Sequence, residues 1–366
     1  MGIIIFIISL AILILVHEFG HFIVAKKSGI RVDEFGLGFP PKLWSKRVGE
    51  TLYTLNAIPF GGFVKIFGED PHSGDITPEN KSRSMFYKPK WVQALVLVAG
   101  VTFNIIFAWL LISLGFMIGL PSPVEHSGFG QVRDAHVVVT SVLPKSPAEI
   151  AGLRTGDTIV FVAAGTQSLQ DETLTPEKIS NLVKDSTDSN IDILYRRGDT
   201  QPVVATVEPN TTVVSGRRAI GISMENIGTL KLSVPLALVE GAHTTALLIK
   251  NTVTGLAGFL WSIVTFTSDF SQVSGPIGIA GVVGQAKTLG FVYLLSLIAL
   301  ISVNLAVINL VPFPALDGGR LFMILIEVII RRPINPKIVQ WVNAVGFVLL
   351  IILMVIISGH DIIRLL

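Results

Sequence analysis

The chain has 366 residues; half of them are hydrophobic, only 15% are charged, and the formal net charge is +2. A soluble domain carries about 25% charged residues, so the composition excludes a disordered chain and argues against a wholly soluble enzyme. Cysteine is absent, which excludes a disulfide scaffold, a thiolate nucleophile and a cysteine-type zinc or iron–sulfur site; the near-neutral charge balance leaves no nucleic-acid footprint.

The first apolar window runs from Ile3 to Ala25, matching the ~20 residues that cross a bilayer. No basic stretch precedes it and no small-x-small cleavage site follows, so it reads as a spanning helix rather than a signal peptide. His17, Glu18 and His21 lie in its second half. Residues 26–90 are mixed, with charges, Gly and Pro, and two strand-like runs, Leu52 to Ile58 and Gly62 to Phe67, separated by Pro59-Phe60-Gly61. Trp91 to Leu120 is a second spanning stretch.

Residues 121–230 read as a soluble, β-rich region. Strands are expected at Val137–Val142, Thr158–Val162, Ile191–Tyr195, Val203–Val207 and Ile220–Met224. Thr175-Pro176-Glu177 marks a helix start, with Thr175 as N-cap. Arg197-Gly198-Asp199 marks a hairpin turn. Residues 231–267 scatter Glu240, His243 and Lys250 among apolar residues, which reads as an amphipathic helix at the membrane interface. Residues 289–311 and 341–358 are further apolar helices, giving four expected spans.

Basic residues set an expected orientation. The 23–90 loop holds eleven Lys or Arg, against twelve in the much longer 121–287 segment. The 312–340 loop adds Arg320, Arg331, Arg332 and Lys337. The positive-inside rule places both loops in the cytoplasm and the β-rich region on the other side.

The pattern His17-Glu18-Phe19-Gly20-His21 carries the chemistry. Residues four apart share a helix face, so both imidazoles can hold one metal ion, zinc by default. Glu18 is placed to take a proton from water. Ionisable residues in an apolar span are costly and mark function by default. A catalytic zinc needs a third protein ligand, and Asp33 and Glu34 lie in a charged loop where solvation is the simpler reading. Asp317 ends the run Asn309-Leu-Val-Pro-Phe-Pro-Ala-Leu-Asp317, in which Pro312 and Pro314 break a helix at membrane depth. Spacing alone leaves Asp317 equally a ligand or the N-cap of the next helix.

These residues resemble the site-2 protease family of intramembrane zinc metalloproteases, closest to its bacterial regulator-of-sigma-E-protease type. The likeness covers nearly the whole chain. It rests on His17-Glu18-x-x-His21, Asn309 to Asp317, Pro59-Phe-Gly-Gly-Phe-Val-Lys65, Phe35 to Pro41 and Gly275-Pro-Ile-Gly-Ile279. The resemblance implies one catalytic zinc held by His17, His21 and Asp317, with Glu18 as general base. It implies that Asn309 holds the substrate backbone. It also implies that Gly62, Phe63, Val64 and Lys65, continuing to Ile66, offer an edge strand to an unwound substrate; the plain alternative is a hairpin on the membrane surface. Residues 136–209 resemble a single PDZ domain through Ser146-Pro-Ala-Glu-Ile-Ala-Gly152-Leu-Arg-Thr-Gly156-Asp157. That module would bind a chain end by strand addition or act as a size filter over substrate ectodomains.

The chain departs from the family where Ala99-Gly100-Val101-Thr102-Phe103-Asn104 has Val in place of Pro. Asn104 either lines the substrate path or makes an interhelical hydrogen bond. Val162-Ala-Ala-Gly165 also replaces the Ile-Asn-Gly common in such modules, so ligand preference does not transfer.

The expected fold is an α-helical polytopic membrane protein with about four transmembrane helices, a re-entrant β-hairpin or sheet and an inserted β-rich PDZ domain. The divisions are a first span over 1–25, a cytoplasmic-side loop with re-entrant strands over 26–90 and a second span over 91–120. An extracytoplasmic region follows over 121–230, then an interfacial helix and linker over 231–287. A third span covers 288–320, and a loop with the fourth span covers 321–366. The expected activity is zinc-dependent hydrolysis, in a bacterial inner membrane, of single-span membrane proteins such as anti-sigma factors or signal-peptide remnants, with the site towards the cytoplasm. Lipid is the other expected partner, and nucleic acid is not one. The competing reading is an inactive PDZ-bearing scaffold or a metal transporter. A transporter would show inverted repeats, which are not visible, and a pseudo-protease would lack Glu18 or a ligand.

Overall fold

The structure, a computed structural model, describes residues 2–69, 76–126, 128–186, 190–198, 200–214, 217–265, 267 and 275–365. In chain order the first elements are α1 (Gly2–Lys27), β1 (Val32–Val48), β2 (Thr51–Ile66) and α2 (Lys90–Ile118). The β-rich stretch follows with β3 (Leu120–Pro123), β4 (Arg133–Val142), α3 (Pro147–Ile150), β5 (Asp157–Ala164), β6 (Gln167–Gln170) and α4 (Pro176–Asp185). It continues through β7 (Ile191–Arg197), β8 (Val203–Val207), β9 (Asn210–Val214), β10 (Arg217–Ala219) and β11 (Ile222–Leu230). The chain then becomes helical: α5 (Val234–Val264), α6 (Pro276–Leu289), α7 (Phe291–Leu310), α8 (Asp317–Ile330) and α9 (Pro336–Leu365). The chain divides into two compact units: residues 1–112, 241–285 and 296–366 form one, and residues 113–240 and 286–295 form the other.

In the first, largely helical unit, β1 and β2 make a small antiparallel sheet with an unusual register. Glu34 to Leu37 pair on one side with Leu52 to Leu55 and on the other with Gly62 to Lys65. The two strand-like runs expected around Pro59 are therefore one continuous β2 that reaches both sides of β1. The two arms run in opposite directions: Glu34 to Leu37 match Leu52 to Leu55 in the same order and Lys65 to Gly62 in turn, so the chain reverses between the arms, where Gly61 takes a φ of 110°. The 62–66 arm lies at an edge: among the described residues no strand pairs with its other side. Under it, Ala25, Ile30, Val32, Ile66, Met85, Val92, Val96 and Leu97 form a buried apolar cluster. Phe35 to Pro41 lies within β1.

Helix–helix ties in this unit are polar and specific. Lys90 of α2 pairs with Glu327 of α8 at 2.6 Å, and Thr252 of α5 donates to Asn304 of α7 at 2.9 Å. Gly275 to Ile279 sits at the start of α6, where the backbone N–H groups of Gly275 and Gly278 donate to the Asp361 carboxylate of α9. That buried acid occupies a helix N-terminus, where orphan donors and the dipole favour an anion.

Among the described residues five helices are long and apolar enough to cross a membrane: those at the four expected spans and Val234–Val264. Its charged residues Glu240 and Lys250 lie in the first two thirds of a 31-residue helix, so a spanning length of low charge remains. The expected single span over 288–320 is two helices, α7 ending at Leu310 and α8 starting at Asp317, because Pro312 and Pro314 cannot continue a helical ladder.

In the β-rich unit the strand order is β3-β11-β4-β5-β7-β8, with β6 paired to β5. Each expected strand is present except that Ile220 precedes β11, and β7 and β8 pair antiparallel around the expected turn. Asp199 of that turn lies outside the described residues. The alternating burial of β5 and β7 sends Ile159, Val162, Ile191 and Ile193 into one core with Val139, Ile179 and Val207. Thr175 caps α4 by accepting from the Lys178 N–H at 3.3 Å. Ser146 caps α3 in the same way through Glu149. Asp157, wholly buried, accepts from the Arg154 N–H at 2.8 Å and takes a bidentate bond from Arg197 at 2.7 and 2.8 Å. That carboxylate holds the Arg197 guanidinium above its ordinary pKa. Strands β3, β6, β9 and β10, three to five residues long, were not expected.

Candidate metal centre

Helix α1 places His17 and His21 one turn apart on its buried face. Their Nε2 atoms lie 3.2 Å from each other. The Asp317 carboxylate closes the triangle, its Oδ2 lying 3.0 Å from His17 Nε2 and 3.3 Å from His21 Nε2. Three N and O donors bonded at ~2.0–2.1 Å in a tetrahedron stand about 3.3 Å apart, so the set fits one zinc ion. Among the described residues this is the cluster of three metal-type side chains whose ligand atoms meet.

Local sequence explains the convergence. Asp317 opens α8, but its side chain makes no cap bond to that helix; the cap position is Leu316. The carboxylate is turned to the imidazoles instead. Gly318 and Gly319 make this possible: a Cβ on Gly318 would strike the carbonyl oxygens of Leu310 and Val311, and one on Gly319 that of Phe313. Only residues without side chains let α8 start so close to the chain that leaves α7. Helix α2 backs the histidines. His21 Nδ1 donates to the Val96 carbonyl at 2.8 Å, and a Cβ on Gly100 would collide with the His21 ring.

Glu18 borders the same cavity, about 230 Å³, with Phe63, Val64, Ile66, Glu69 and Arg320 among its other walls. The Val64 backbone N–H donates to the Glu18 carboxylate. The free edge of β2 therefore runs directly past the acid that follows the first ligand. Gly62 also lies beside α1, facing Glu18 and Ile14. Lys65 faces a second cavity of about 570 Å³, which shares Ile66, Glu69, Met85, Leu97 and Arg320 with the first. Asn309 is half-buried on the last turn of α7 and does not line the donor cavity. Asn104 is wholly buried, and its amide lies 3.3 Å from His17 Nδ1; of the two roles open to it, the structure contains the interhelical contact.

Three participants were not singled out from sequence. Gly100 and the Val96 carbonyl support the histidines, and Arg320 pairs with Glu69 at the cavity wall. Gly100 and Asn104 stand four apart in an apolar helix, a small-plus-polar pattern that signals close helix packing. Arg320, three residues after Asp317, had no such signal.

A histidine pair on a helix, a distant carboxylate and an adjacent acid form a constellation that suits a metallohydrolase. Comparison with known proteins agrees. The model of peptidase family M50 matches residues 5–353. A protein named as a candidate zinc metalloprotease in Clostridium perfringens is 37% identical over 99% of both chains. One of the same description in Nostoc is 35% identical over 93% of this chain and 90% of its own. The zinc metalloprotease RasP of Oceanobacillus iheyensis is 28% identical over 98% of each chain. With 349 of its 366 residues inside the family match, counted from 5 to 353, this chain belongs to peptidase family M50 and is a zinc-dependent membrane metalloprotease.

Proposed function

We propose that the protease cleaves single-span membrane proteins within the bilayer. The observation that carries this reading is the placement of His17, Glu18 and His21 in the second half of α1, a helix long and apolar enough to span. His17, His21 and Asp317 would hold the zinc. When bound, zinc supplies Lewis acidity, acidifying water and polarising the scissile carbonyl. Glu18 takes the proton of the attacking water and returns it to the leaving amine.

A helical amide is shielded by its own hydrogen bonds, so the substrate must open into an extended strand. The unpaired edge of β2 at residues 62–66 is the surface for that strand, which would add beside Glu18. Asn309 would steady the substrate backbone. Residues 32–66 are the re-entrant sheet of this reading, and the β-rich unit holds one PDZ domain, at 136–209, outside the cytoplasm. That domain either captures a chain end or excludes large ectodomains until another protease trims them. The reaction would serve regulated intramembrane proteolysis in a bacterial inner membrane, on anti-sigma factors or signal-peptide remnants.

The test is Glu18→Gln, purified in detergent and assayed on a fluorogenic single-span substrate with zinc content measured in parallel. Loss of cleavage with zinc retained is the expected result; undiminished cleavage overturns the reading.

A further inference from the structure

We infer that Asn104 is a positioning residue for the zinc site: its side-chain oxygen accepts the Nδ1 proton of His17 and so holds that imidazole in the tautomer that offers Nε2 to the metal. Three observations meet here. His17 Nε2 is the atom that converges with His21 and Asp317. A neutral imidazole carries one N–H, so a ring that binds metal through Nε2 must bear its proton on Nδ1 and needs an acceptor there. The side chain facing Nδ1 is the Asn104 amide, at 3.3 Å.

The orientation of that amide decides the role. With the nitrogen towards His17, two donors face each other and the Asn104 Oδ1 is buried without a partner. Turning the amide by half a rotation, which exchanges atoms of nearly equal size, gives Oδ1 the His17 proton and gives the Nδ1–H its acceptor, and places the amide nitrogen at the buried position without a partner. His21 needs no such help, since its Nδ1 already donates to the Val96 carbonyl. The two ligands are therefore set by two different devices of α2, a backbone carbonyl for one and an amide side chain for the other.

The position of Asn104 is itself fixed. Ser302 of α7, wholly buried, donates to the Asn104 backbone carbonyl at 2.8 Å. Gly100, one turn earlier on α2, clears the space in which both imidazoles sit. Gly100 and Asn104 thus act as a unit: the first admits the rings and the second orients one of them.

This inference rests on His17 being a zinc ligand, and the experiment separates the two. Zinc affinity of the full-length protein in detergent is measured by competition with a chromogenic chelator for the wild type, His17→Ala, Asn104→Leu and Asn104→Asp. Partners of metal-bound imidazoles are worth about 10–100-fold in affinity, so Asn104→Leu should weaken zinc by that factor. Asn104→Asp keeps an acceptor and should stay within about threefold of wild type. The His17 Nδ1 nitrogen resonance of the zinc form should be that of a protonated ring nitrogen in wild type and Asn104→Asp. Wild-type affinity in Asn104→Leu overturns the assignment, and so does an equal loss in Asn104→Leu and Asn104→Asp, because an acceptor oxygen would then be irrelevant. If Asn104→Leu does not fold, Asn104→Asp decides alone, since an amide presenting its nitrogen to His17 could not be replaced by a carboxylate without loss. His17→Ala at wild-type affinity would bring down the ligand set and this inference together; loss there with wild-type zinc binding in Asn104→Leu removes only the inference.

Discussion

Apolar side chains face opposite ways in the two compact units. In the helical unit Ile4, Trp261 and Phe347 are 60%, 70% and 58% exposed, whereas Val139, Ile159 and Ile191 of the β-rich unit are at most 2% exposed. The same residue types serve a lipid-facing surface in one and a water-excluding core in the other, because a helix that satisfies its own backbone can present apolar side chains to hydrocarbon. Buried polarity differs as well. In the β-rich unit the buried Asp157 is met by Arg197 and the Arg154 backbone, an arrangement that closes a turn. In the helical unit the rings of the buried His17 and His21 point at a common centre with Asp317, and the buried Asn104 amide meets the far side of the His17 ring. Buried polar groups close a turn in the first case and gather metal-type side chains in the second.

Substitutions can break that contrast, starting where the effect is largest. Glu18→Gln should lower cleavage of a single-span substrate by about 10³-fold or more, the scale of a lost general base, with the thermal midpoint of the protein unchanged; activity within tenfold of wild type would contradict the contrast. Asp317→Ala should weaken zinc by more than about 100-fold, beyond what losing a supporting partner costs, as read by metal analysis after dialysis. In the β-rich unit the corresponding cut is Arg197→Met. It leaves the buried Asp157 unpaired and should cost roughly 3 kcal/mol, the lower end for a broken buried pair because Arg197 is itself partly exposed. Unfolding of the full-length protein should shift accordingly while zinc content stays at wild-type level.

Val64→Pro sharpens the comparison at the β2 edge. The Val64 N–H points away from β1 towards Glu18, so proline is tolerated by the sheet but removes one edge donor. A loss of about tenfold in kcat/KM is expected, equivalent to ~1.4 kcal/mol for one or two hydrogen bonds, with zinc retained. The smallest effect belongs to Ile150→Ser, at a side chain 81% exposed in the β-rich unit; stability should change by less than about 0.5 kcal/mol. A larger loss would mean that this residue is covered in the folded protein.

Legibility followed the length of the signal. Helices α1, α2, α7 and α9 announce themselves through long apolar runs, and the ligand pair through two histidines one turn apart. The N-caps Thr175 and Ser146 follow local rules, although only Thr175 was read as one. Helix α5 was read as interfacial because Glu240, His243 and Lys250 gave it an amphipathic look, and its 31 residues also leave room for a low-charge span. The double pairing of β1 was hidden because a strand's sequence does not say how many partners it has. Arg320 beside Glu69, and Asp361 on the start of α6, join residues 251 and at least 83 positions apart; no local pattern reports such contacts.

By itself the sequence determined which regions are apolar and that His17 and His21 share a helix face, because hydrophobicity and helical spacing are local properties. It left Asp317 open between a place beside the histidines and a helix cap. The tertiary structure places it beside the histidines, since the close seating of α8 allowed by Gly318 and Gly319 turns the carboxylate to the imidazoles. It also decided that Asn104 meets His17 rather than the cavity, and that the free edge of β2 passes Glu18. These are relations between segments far apart in the chain, fixed by packing and by the need of each buried polar atom for a partner.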